Sequence, residues 1–502
     1  ESKKNPIISI HDHGAGGHLN SLSELVEVTG GTIDLRKLPV GDPTLSAKEI
    51  VGNESQERMG LILKKLDVAL LAKISERERA PMYDVGETTG DHRFTFVDEK
   101  NGNNPIDLEL ADMFGNPPRT ILEDVEVSHA FEPVSYSIED LHSDLSDLLQ
   151  MEAIACKDWL TNKVDRSVTG RVAFQQTCGS VQVPLNNLGA SALDYQGKKG
   201  IATSIGHAPI AGLVDPEAGS VLSIAEALTN VFWAPIADGI KGISLSANWM
   251  WPARNPGENA RLYKAVTAVS DFAIALGLNI PTGKDSLSMT QKYDGETVFS
   301  PGTVIISSVG EITDIRKIVS PALKPVTGSA LIYIDLSQDE HCLGGSSFAQ
   351  LKNQLGKKAP VFKDPQYFVR VFENMQELIR EEKILSGHDI SAGGMITALL
   401  EMCFADNTCG LDIDLTPLEE QDTVKLLFSE NPGLLLQADN AGEITRFFDE
   451  QGIIYHRIGK VNTSRSFKVK NHGYSTTFDI DKFRDDWFRT SYLLDRKQCG
   501  PK

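Results

Sequence analysis

The segment HDHGAGGH at His11–His18 returns, altered, as HDISAGGM at His388–Met395. Each copy follows a short run typical of a β-strand and precedes apolar residues at helical spacing. Glycines at such a point let the backbone turn tightly and approach a neighbouring group closely. Each segment therefore predicts a strand, a glycine turn and a helix, and the chain contains this arrangement twice.

The likeness between the two copies continues downstream of the turns. Ser55 matches Ser429 and Gly86 matches Gly459, at separations of 374 and 373 residues, close to the 377 residues between the turns. Three matches in the same order predict a duplicated domain. The copies also differ, because the first reads SQE from Ser55 where the second reads SEN from Ser429.

Between the copies, the sequence predicts a helical connector and then a domain of another type, in which strands alternate with long helices. We expect about three domains in 502 residues, in the order B, A′, B′. The fold class is α/β (α+β), with tandem duplicated A and B domains. The expected bounds are 1–150 for the first B domain with its connector, 151–319 for A′, 320–480 for B′ and 481–502 for a linker. Because the order starts with B, we expect an A domain upstream in a longer polypeptide.

The composition is that of a globular protein with an acidic excess. The chain has 69 acidic and 49 basic residues and a formal net charge of −20, which argues against nucleic acid or an anionic membrane as a partner. The sequence contains no apolar run of the roughly 18 residues that a spanning helix needs and opens with no signal peptide, so we expect a cytoplasmic protein. Six cysteines without a CxxC pair predict reduced thiols, mostly in apolar cores.

The two glycine turns suit an anion, because backbone N–H groups and the dipole of the following helix favour negative charge. Asp12 and Asp389, within the two segments, could hold a magnesium ion that bridges phosphate oxygens. The alternative is a turn that needs glycine for its geometry alone. Because both copies contain the His-Asp pair, we favour a functional role.

Glu226 and Asn230, in the sequence AEALTN, are spaced i, i+4 on a predicted helix. Both side chains therefore project from one face, and their neighbours are largely apolar. An acid and an amide on a partly buried face need a partner, and a hard cation with oxygen ligands is a suitable one. The alternative is a rim position that is wetted by solvent.

The segment IPTGKDSLSM (Ile280–Met289) resembles a phosphate loop but lacks the Walker spacing. Gly283, Lys284 and Ser286 could still meet phosphate. A surface turn with a solvated lysine is the alternative. The segment therefore leaves two interpretations open.

Two other polar segments are equally open. The run Asn53–Gln56 offers the donors and acceptors that a polar substrate needs, although helix capping explains it as well. CLGGSS (Cys342–Ser347) could begin a helix at a phosphate. The sequence contains no GxSxG motif and no cysteine in an activating context, so we assign no catalytic residue. The residues alone predict a duplicated α/β protein with magnesium-phosphate sites.

Eight motifs resemble formylglycinamidine ribonucleotide synthetase (phosphoribosylformylglycinamidine synthase) in its large single-chain form. In chain order they are HDHGAGG, NESQER, RERAP, EALTN, SANWM, PTGKDSLSM, LGGSS and HDISAGG, and they cover essentially the whole chain. That family belongs with aminoimidazole ribonucleotide synthetase, selenophosphate synthetase and thiamine monophosphate kinase. The resemblance implies a fused, duplicated A/B fold with two related nucleotide sites, one catalytic and one structural.

The implied activity is the ATP-dependent, glutamine-dependent conversion of formylglycinamide ribonucleotide to formylglycinamidine ribonucleotide in purine biosynthesis. ATP would phosphorylate the amide oxygen and ammonia would displace phosphate, so the protein positions reactants and neutralises charge with Mg²⁺. The implied cofactors are Mg²⁺, catalytic ATP and a structural ADP or ATP. The family's first A domain and its glutaminase domain lie outside this sequence, so we expect this piece to be inactive alone.

The resemblance also assigns site residues. At the catalytic site it implies a magnesium ligand, three contacts to the ribonucleotide and two residues that close the site from the second half: Asp12; Glu54, Ser55 and Gln56; Gly283 and Ser286. At the auxiliary nucleotide it implies four magnesium ligands and two nucleotide contacts, the second through the backbone: Asn187, Glu226, Asn230 and Asp389; Ser391 and Asn186.

Two positions depart from the family. Asn187 stands where the large form has a metal-binding aspartate, and it keeps an oxygen but loses the charge. Lys284 stands where smaller relatives have a metal-binding asparagine, so we assign it no such role. The alternatives are another enzyme of the aminoimidazole ribonucleotide synthetase type, which would have one A and one B domain, and a non-catalytic nucleotide-binding scaffold, which would have degenerate motifs in both copies.

Overall fold

The computed structural model describes residues 5–54, 58–115, 121–127, 129–164 and 166–500. The expected substrate residues Ser55 and Gln56 lie outside these described residues. The chain divides into two compact units between Ile121 and Leu122. We call them the first and the second unit, and each has its own buried apolar core.

The first unit contains six strands and four helices among its described residues. The strands are β1 (Ile7–Asp12), β2 (Gly31–Asp34), β3 (Met59–Leu63), β4 (Gly86–Thr88), β5 (Arg93–Asp98) and β6 (Asn103–Glu109). The helices are α1 (Gly17–Leu25), α2 (Ala47–Val51), α3 (Val68–Glu78) and α4 (Leu110–Phe114). Strand β1 pairs antiparallel with β3, and the remaining strands form a sheet in the order β4-β2-β5-β6. The fully buried rings of Phe94 and Phe96 lie in its core.

The second unit begins with helices and a six-stranded sheet. Its first elements are α5 (Leu141–Leu149), α6 (Asp158–Thr161), β7 (Val172–Phe174), β8 (Gly189–Ala192), β9 (Gly200–Gly206), α7 (Pro209–Val214), α8 (Pro216–Val231), β10 (Ile243–Met250), α9 (Glu258–Leu276), β11 (Asn279–Ser286), β12 (Thr290–Tyr293), β13 (Glu296–Phe299) and β14 (Thr303–Ile312). The sheet order is β11-β10-β14-β9-β8-β7. Burial alternates along β14, so one face of the sheet is covered. Helix α8 packs on β9 and β14 and against α9.

The second unit continues with a seven-stranded sheet. Its elements are β15 (Ala330–Asp335), α10 (Ser347–Leu351), α11 (Pro365–Arg380), β16 (Ser386–Asp389), α12 (Gly394–Phe404), β17 (Gly410–Asp414), α13 (Thr423–Phe428), β18 (Gly433–Ala438), α14 (Ala441–Gln451), β19 (His456–Asn462), β20 (Phe467–Asn471), β21 (Tyr474–Phe478) and α15 (Ile480–Gln498). Their order in the sheet is β16-β18-β15-β19-β17-β20-β21. Every residue of β18 is buried, as in a strand covered on both faces.

Local sequence explains where two long helices begin. Asp215 precedes α8 and Asp364 precedes α11, and each carboxylate accepts hydrogen bonds from the second and third backbone N–H groups that follow it. Pro216 and Pro365 occupy the first helical position, where the missing N–H costs nothing. The same Asp-Pro pair therefore sets both helix starts.

The strand pairing repeats the predicted duplication. Strands β1 and β3 pair as β16 and β18 do, and β2 runs parallel to β5 as β17 runs parallel to β20. In the second unit, β15 lies between β18 and β19 and joins the two halves of the sheet. None of the described strands of the first unit takes that place. This explains why the first unit has two sheets where the second has one.

One local expectation was wrong. The segment that includes Gly283 and Lys284 is not a surface turn but strand β11, which pairs in parallel with β10. A side chain at Gly283 would place its Cβ 2.0 Å from the carbonyl oxygen of Ala247, so the close approach of the two strands requires glycine. Within the described ranges, none of the helices combines the length and the apolarity that crossing a membrane requires.

Candidate functional site

The two glycine turns have the same backbone shape. Their first glycines have φ angles of 85° and 87°, and Gly17 and Gly394, which follow, have φ angles of 60° and 73°. A Cβ on Gly17 would lie 2.4 Å from the carbonyl oxygen of Asn53, and one on Gly394 would lie 2.7 Å from that of Leu427. Both turns therefore need glycine for conformation and for close approach to the segment before β3 or β18.

In the first unit, a chain of hydrogen bonds lies behind the turn. An Arg58 guanidinium nitrogen is 3.0 Å from His18 Nε2, His18 Nδ1 is 3.0 Å from His13 Nε2, and His13 Nδ1 is 3.4 Å from Ser21 Oγ. Arginine can only donate, so His18 accepts at Nε2 and carries its proton on Nδ1. His13 then accepts at Nε2 and donates from Nδ1 to Ser21. Asp12, the expected magnesium ligand, is exposed at the end of β1.

This chain was not predicted from the sequence, although the duplication contains a signal for it. His13 and His18 are buried, and their counterparts at the same positions of the second copy are the apolar Ile390 and Met395. Burial lowers the pKa of His18 to about 4, and the neighbouring His13 and Arg58 lower it further. The two copies therefore differ in polarity directly behind the turn.

In the second unit, Asp389 ends β16 and is buried. Thr229 of α8 donates a hydrogen bond to Asp389 Oδ2 over 3.1 Å. On the other side, His388 Nε2 lies 3.0 Å from a Glu401 carboxylate oxygen, and His388 Nδ1 lies 3.3 Å from Asp389 Oδ1, outside hydrogen-bond geometry. Burial opposes the charged form of His388, but the two carboxylates outweigh it and raise its pKa to about 9.

Glu226 and Asn230 lie one turn apart on α8, as their spacing predicted. The Glu226 carboxylate accepts a hydrogen bond from the backbone N–H of His207 over 2.7 Å, and the Asn230 amide donates to the carbonyl oxygen of Ile205 over 3.1 Å. Burial raises the pKa of Glu226 to about 8, and the negative charge of Asp389 adds to this rise. Glu226 is therefore not a solvated rim position, and its carboxylate is close to a second one.

Asn187 completes the group of expected ligands. Its amide nitrogen donates to the carbonyl oxygen of Gly387 over 3.4 Å, which brings it beside the strand that ends at Asp389. Its Oδ1 is buried and makes no hydrogen bond with any described residue. A buried acceptor without a donor is costly, so this oxygen is suited to a bound cation.

The neighbouring Asn186 has a structural role. Its amide nitrogen donates to the carbonyl oxygens of Gln175 and Thr177, and its Oδ1 accepts from Ser320 Oγ. The side chain is thus committed, in agreement with an expected contact through the backbone only. An open cavity of about 610 Å³ lies beside Asn186 and Asn187, and its wall includes many hydroxyl groups: Thr203, Ser204, Ser244, Ser246, Thr282, Ser307 and Ser308.

The donor set fits a hard cation through carboxylates and amides together. Asp389 and Glu226 supply charge, and Asn187 supplies an unpaired oxygen. Among the described residues, no group of three or more His, Cys, Asp and Glu could hold a metal ion, so a site here depends on the amide oxygens. Ser391 lies within the second turn, where its carbonyl accepts the N–H of Gly394 over 3.0 Å.

The remaining expected residues are separate from this group. Ser286 lies at the end of edge strand β11, with Lys284 Nζ 3.2 Å from its hydroxyl. Glu54 is exposed after α2, and the next described element is strand β3, so the polar run does not begin a helix. The roles of Glu54, Ser286 and Gly283 stay predictions.

Comparison with known families agrees with the duplication. The model "AIR synthase related protein, C-terminal domain" matches residues 1–99 and again residues 326–471. The model "FGAR-AT PurM_N-like domain" matches residues 156–311, between the two repeats. The expected fold class, with tandem domains of the aminoimidazole ribonucleotide synthetase type, is thereby confirmed.

Similar proteins share one name. The chain is 38% identical to human phosphoribosylformylglycinamidine synthase over 100% of its length, and 38% identical to a probable chloroplastic/mitochondrial phosphoribosylformylglycinamidine synthase of Arabidopsis thaliana over 99%. The Dictyostelium discoideum synthase is 36% identical over 99%. The chain belongs to this family. It spans 36–39% of the length of these relatives.

Solved structures agree with the fold. PurL of Thermotoga maritima complexed with ADP superposes with a TM-score of 0.58 at 14% identity, over 91% of this chain and 64% of PurL. The same protein complexed with FGAR gives a TM-score of 0.54 at 15% identity, over 91% and 62%. At this identity the likeness concerns the fold.

Proposed function

We propose that this chain is part of the synthetase region of an ATP-dependent enzyme that makes formylglycinamidine ribonucleotide from formylglycinamide ribonucleotide and glutamine. The observation that supports this most directly is identity of 36–38% to phosphoribosylformylglycinamidine synthases along 99–100% of the chain. Glutamate, ADP and phosphate are the other products. We further propose a cytoplasmic location, although one relative is named as chloroplastic/mitochondrial.

We propose that the second unit holds a nucleotide with Mg²⁺ as a structural element. Asn187, Glu226, Asn230 and Asp389 would hold the cation. The bound ion would neutralise phosphate charge, and Ser391 with the backbone at Asn186 would contact the nucleotide. The support comes from the unpaired Asn187 oxygen and from two adjacent carboxylates that lack a positive partner other than His388 among the described residues.

We assign the first unit to the ribonucleotide substrate and the catalytic Mg²⁺. Glu54, Ser55 and Gln56 would contact the substrate, and Asp12 would bind the ion. The missing N-terminal and glutaminase regions would supply the remaining groups and ammonia, so the 502-residue chain alone should not turn over. Gly283 and Ser286 stay assigned to the same reaction.

Two experiments test these proposals. In the full-length protein, ADP release should depend on formylglycinamide ribonucleotide and glutamine, and Gln56→Ala should raise the substrate KM; ADP release that ignores the ribonucleotide would contradict the function. In the 502-residue chain, the supernatant after denaturation should contain ADP or ATP and magnesium. Glu226→Gln with Asp389→Asn should lose both, whereas Glu217→Gln, exposed on the same helix, should keep them. Equal retention in all variants would refute the auxiliary site.

A further inference from the structure

The carboxylate of Glu430 occupies the second glycine turn. Its Oε1 accepts a hydrogen bond from the backbone N–H of Gly393 over 2.7 Å and another from that of Ser347 over 2.8 Å. Gly393 is the N-cap of α12, and Ser347 is the first residue of α10. These are N–H groups at which an external anion would be favoured. An internal anion therefore fills the position that the glycine turn prepares.

The residues on both sides of Glu430 are also committed to internal contacts. Ser429 is buried, and its hydroxyl lies 3.2 Å from His341 Nδ1. Asn431 is fully buried, and its amide donates to Ser337 Oγ over 3.0 Å and to the carbonyl oxygen of Glu340 over 3.2 Å. The whole SEN segment is thus held by the loop that precedes α10.

The duplication identifies the counterpart of Glu430. The contacts of Gly17 with Asn53 and of Gly394 with Leu427 fix a separation of 374 residues at this point of the chain. At that separation Glu430 corresponds to Gln56, so the anion of the second copy is replaced by a neutral amide in the first. The same exchange leaves the first turn without this internal negative charge.

We propose that the pair Gln56 and Glu430 determines which copy accepts an anionic substrate. Glu430 is a built-in substitute for the ligand and excludes a phosphorylated substrate from the second turn by occupying its donors and by charge repulsion. Gln56 keeps an amide oxygen and N–H groups for the ligand and removes the repulsion. The statement on Gln56 rests on the proposed function, whereas the statement on Glu430 does not.

The first test is chemical rescue in the 502-residue chain. Glu430→Ala removes the CH₂–COO⁻ group and leaves two donors unpaired, so the Tm should fall by about 3 °C or more. Sodium acetate, compared with sodium chloride at equal ionic strength, should restore at least half of this loss. The parent, Glu430→Gln, which retains an acceptor oxygen, and Glu450→Ala, exposed on α14, should show no acetate response. An equal acetate response in all four proteins, or no fall in Glu430→Ala, would overturn the assignment of Glu430.

The second test does not depend on the folding of Glu430→Ala. In the full-length protein, Gln56→Glu gives the first turn the charge of the second, and the substrate KM should rise about tenfold or more. Gln451→Glu adds the same charge on an exposed helix end and should keep the parental KM. An unchanged KM in Gln56→Glu would refute the proposal. If the full-length parent shows no ribonucleotide-dependent turnover, the proposed function fails, and acetate rescue still decides the role of Glu430.

Discussion

Acidification should destabilise the first unit through His18. The imidazole is buried and receives a hydrogen bond from Arg58, so its neutral form is favoured and its pKa falls from 6.5 to about 4. The folded pKa lies below the unfolded value, so this stabilisation is present above pH 6.5 and is lost as the pH falls towards 4. Linkage gives a loss of about 2 kcal/mol between pH 7.5 and pH 5, and about 3 kcal/mol in total. Burial also lowers the pKa of His13, which acts in the same direction.

The assay must report on the first unit alone. All five tryptophans lie in the second unit, so intrinsic fluorescence does not follow the first. Urea titrations read by hydrogen-exchange mass spectrometry of α1 peptides, at several pH values, would measure the free energy of unfolding. The NMR titration of the His18 imidazole would give its pKa directly.

Two variants give the controls. His18→Met introduces the residue that the second copy has at Met395 and should remove about 2 kcal/mol of the difference between pH 7.5 and pH 5. His92→Asn changes an exposed histidine in a left-handed backbone conformation that asparagine tolerates, and it should keep the parental pH dependence. If the parent loses less than about 0.5 kcal/mol, or His18→Met titrates like the parent, the reasoning is refuted.

Two further predictions concern the second unit, and tryptophan fluorescence in denaturant can follow both. The fully buried Gln376 accepts from the N–H of Ile236 over 2.7 Å and donates to the carbonyl of Phe232 over 2.9 Å; Gln376→Met should cost about 2 kcal/mol or more, and Glu377→Met, exposed beside it, should cost little. A Cβ on Gly387 would lie 2.0 Å from the buried Trp233 ring, so Gly387→Ala should cost about 2–3 kcal/mol, whereas Gly473→Ala, with open space around it, should be nearly neutral. Parental unfolding midpoints in Gln376→Met or Gly387→Ala would contradict these contacts.

Local patterns predicted most of the architecture. The strand, turn and helix at each His-Asp segment, the repeat of both turns and the face shared by Glu226 and Asn230 all follow from spacing within a few residues. The failure at Ile280–Met289 has a clear cause. Gly, Lys, Asp and Ser disfavour strands, but β10 offers a free edge and fixes β11 by parallel pairing with a chain segment outside the local window.

The sequence by itself determined the duplicated fold and the types of oxygen ligand that the site offers, because strand and helix periodicities are local properties of the chain. Only the tertiary structure decided which groups meet. Asn187 reaches Gly387 across 200 residues, and Thr229 reaches Asp389 across 160. It also decided that Glu430 occupies the second turn, since its two N–H partners belong to different helices. Such contacts depend on packing between distant elements, and no periodicity in the sequence encodes them.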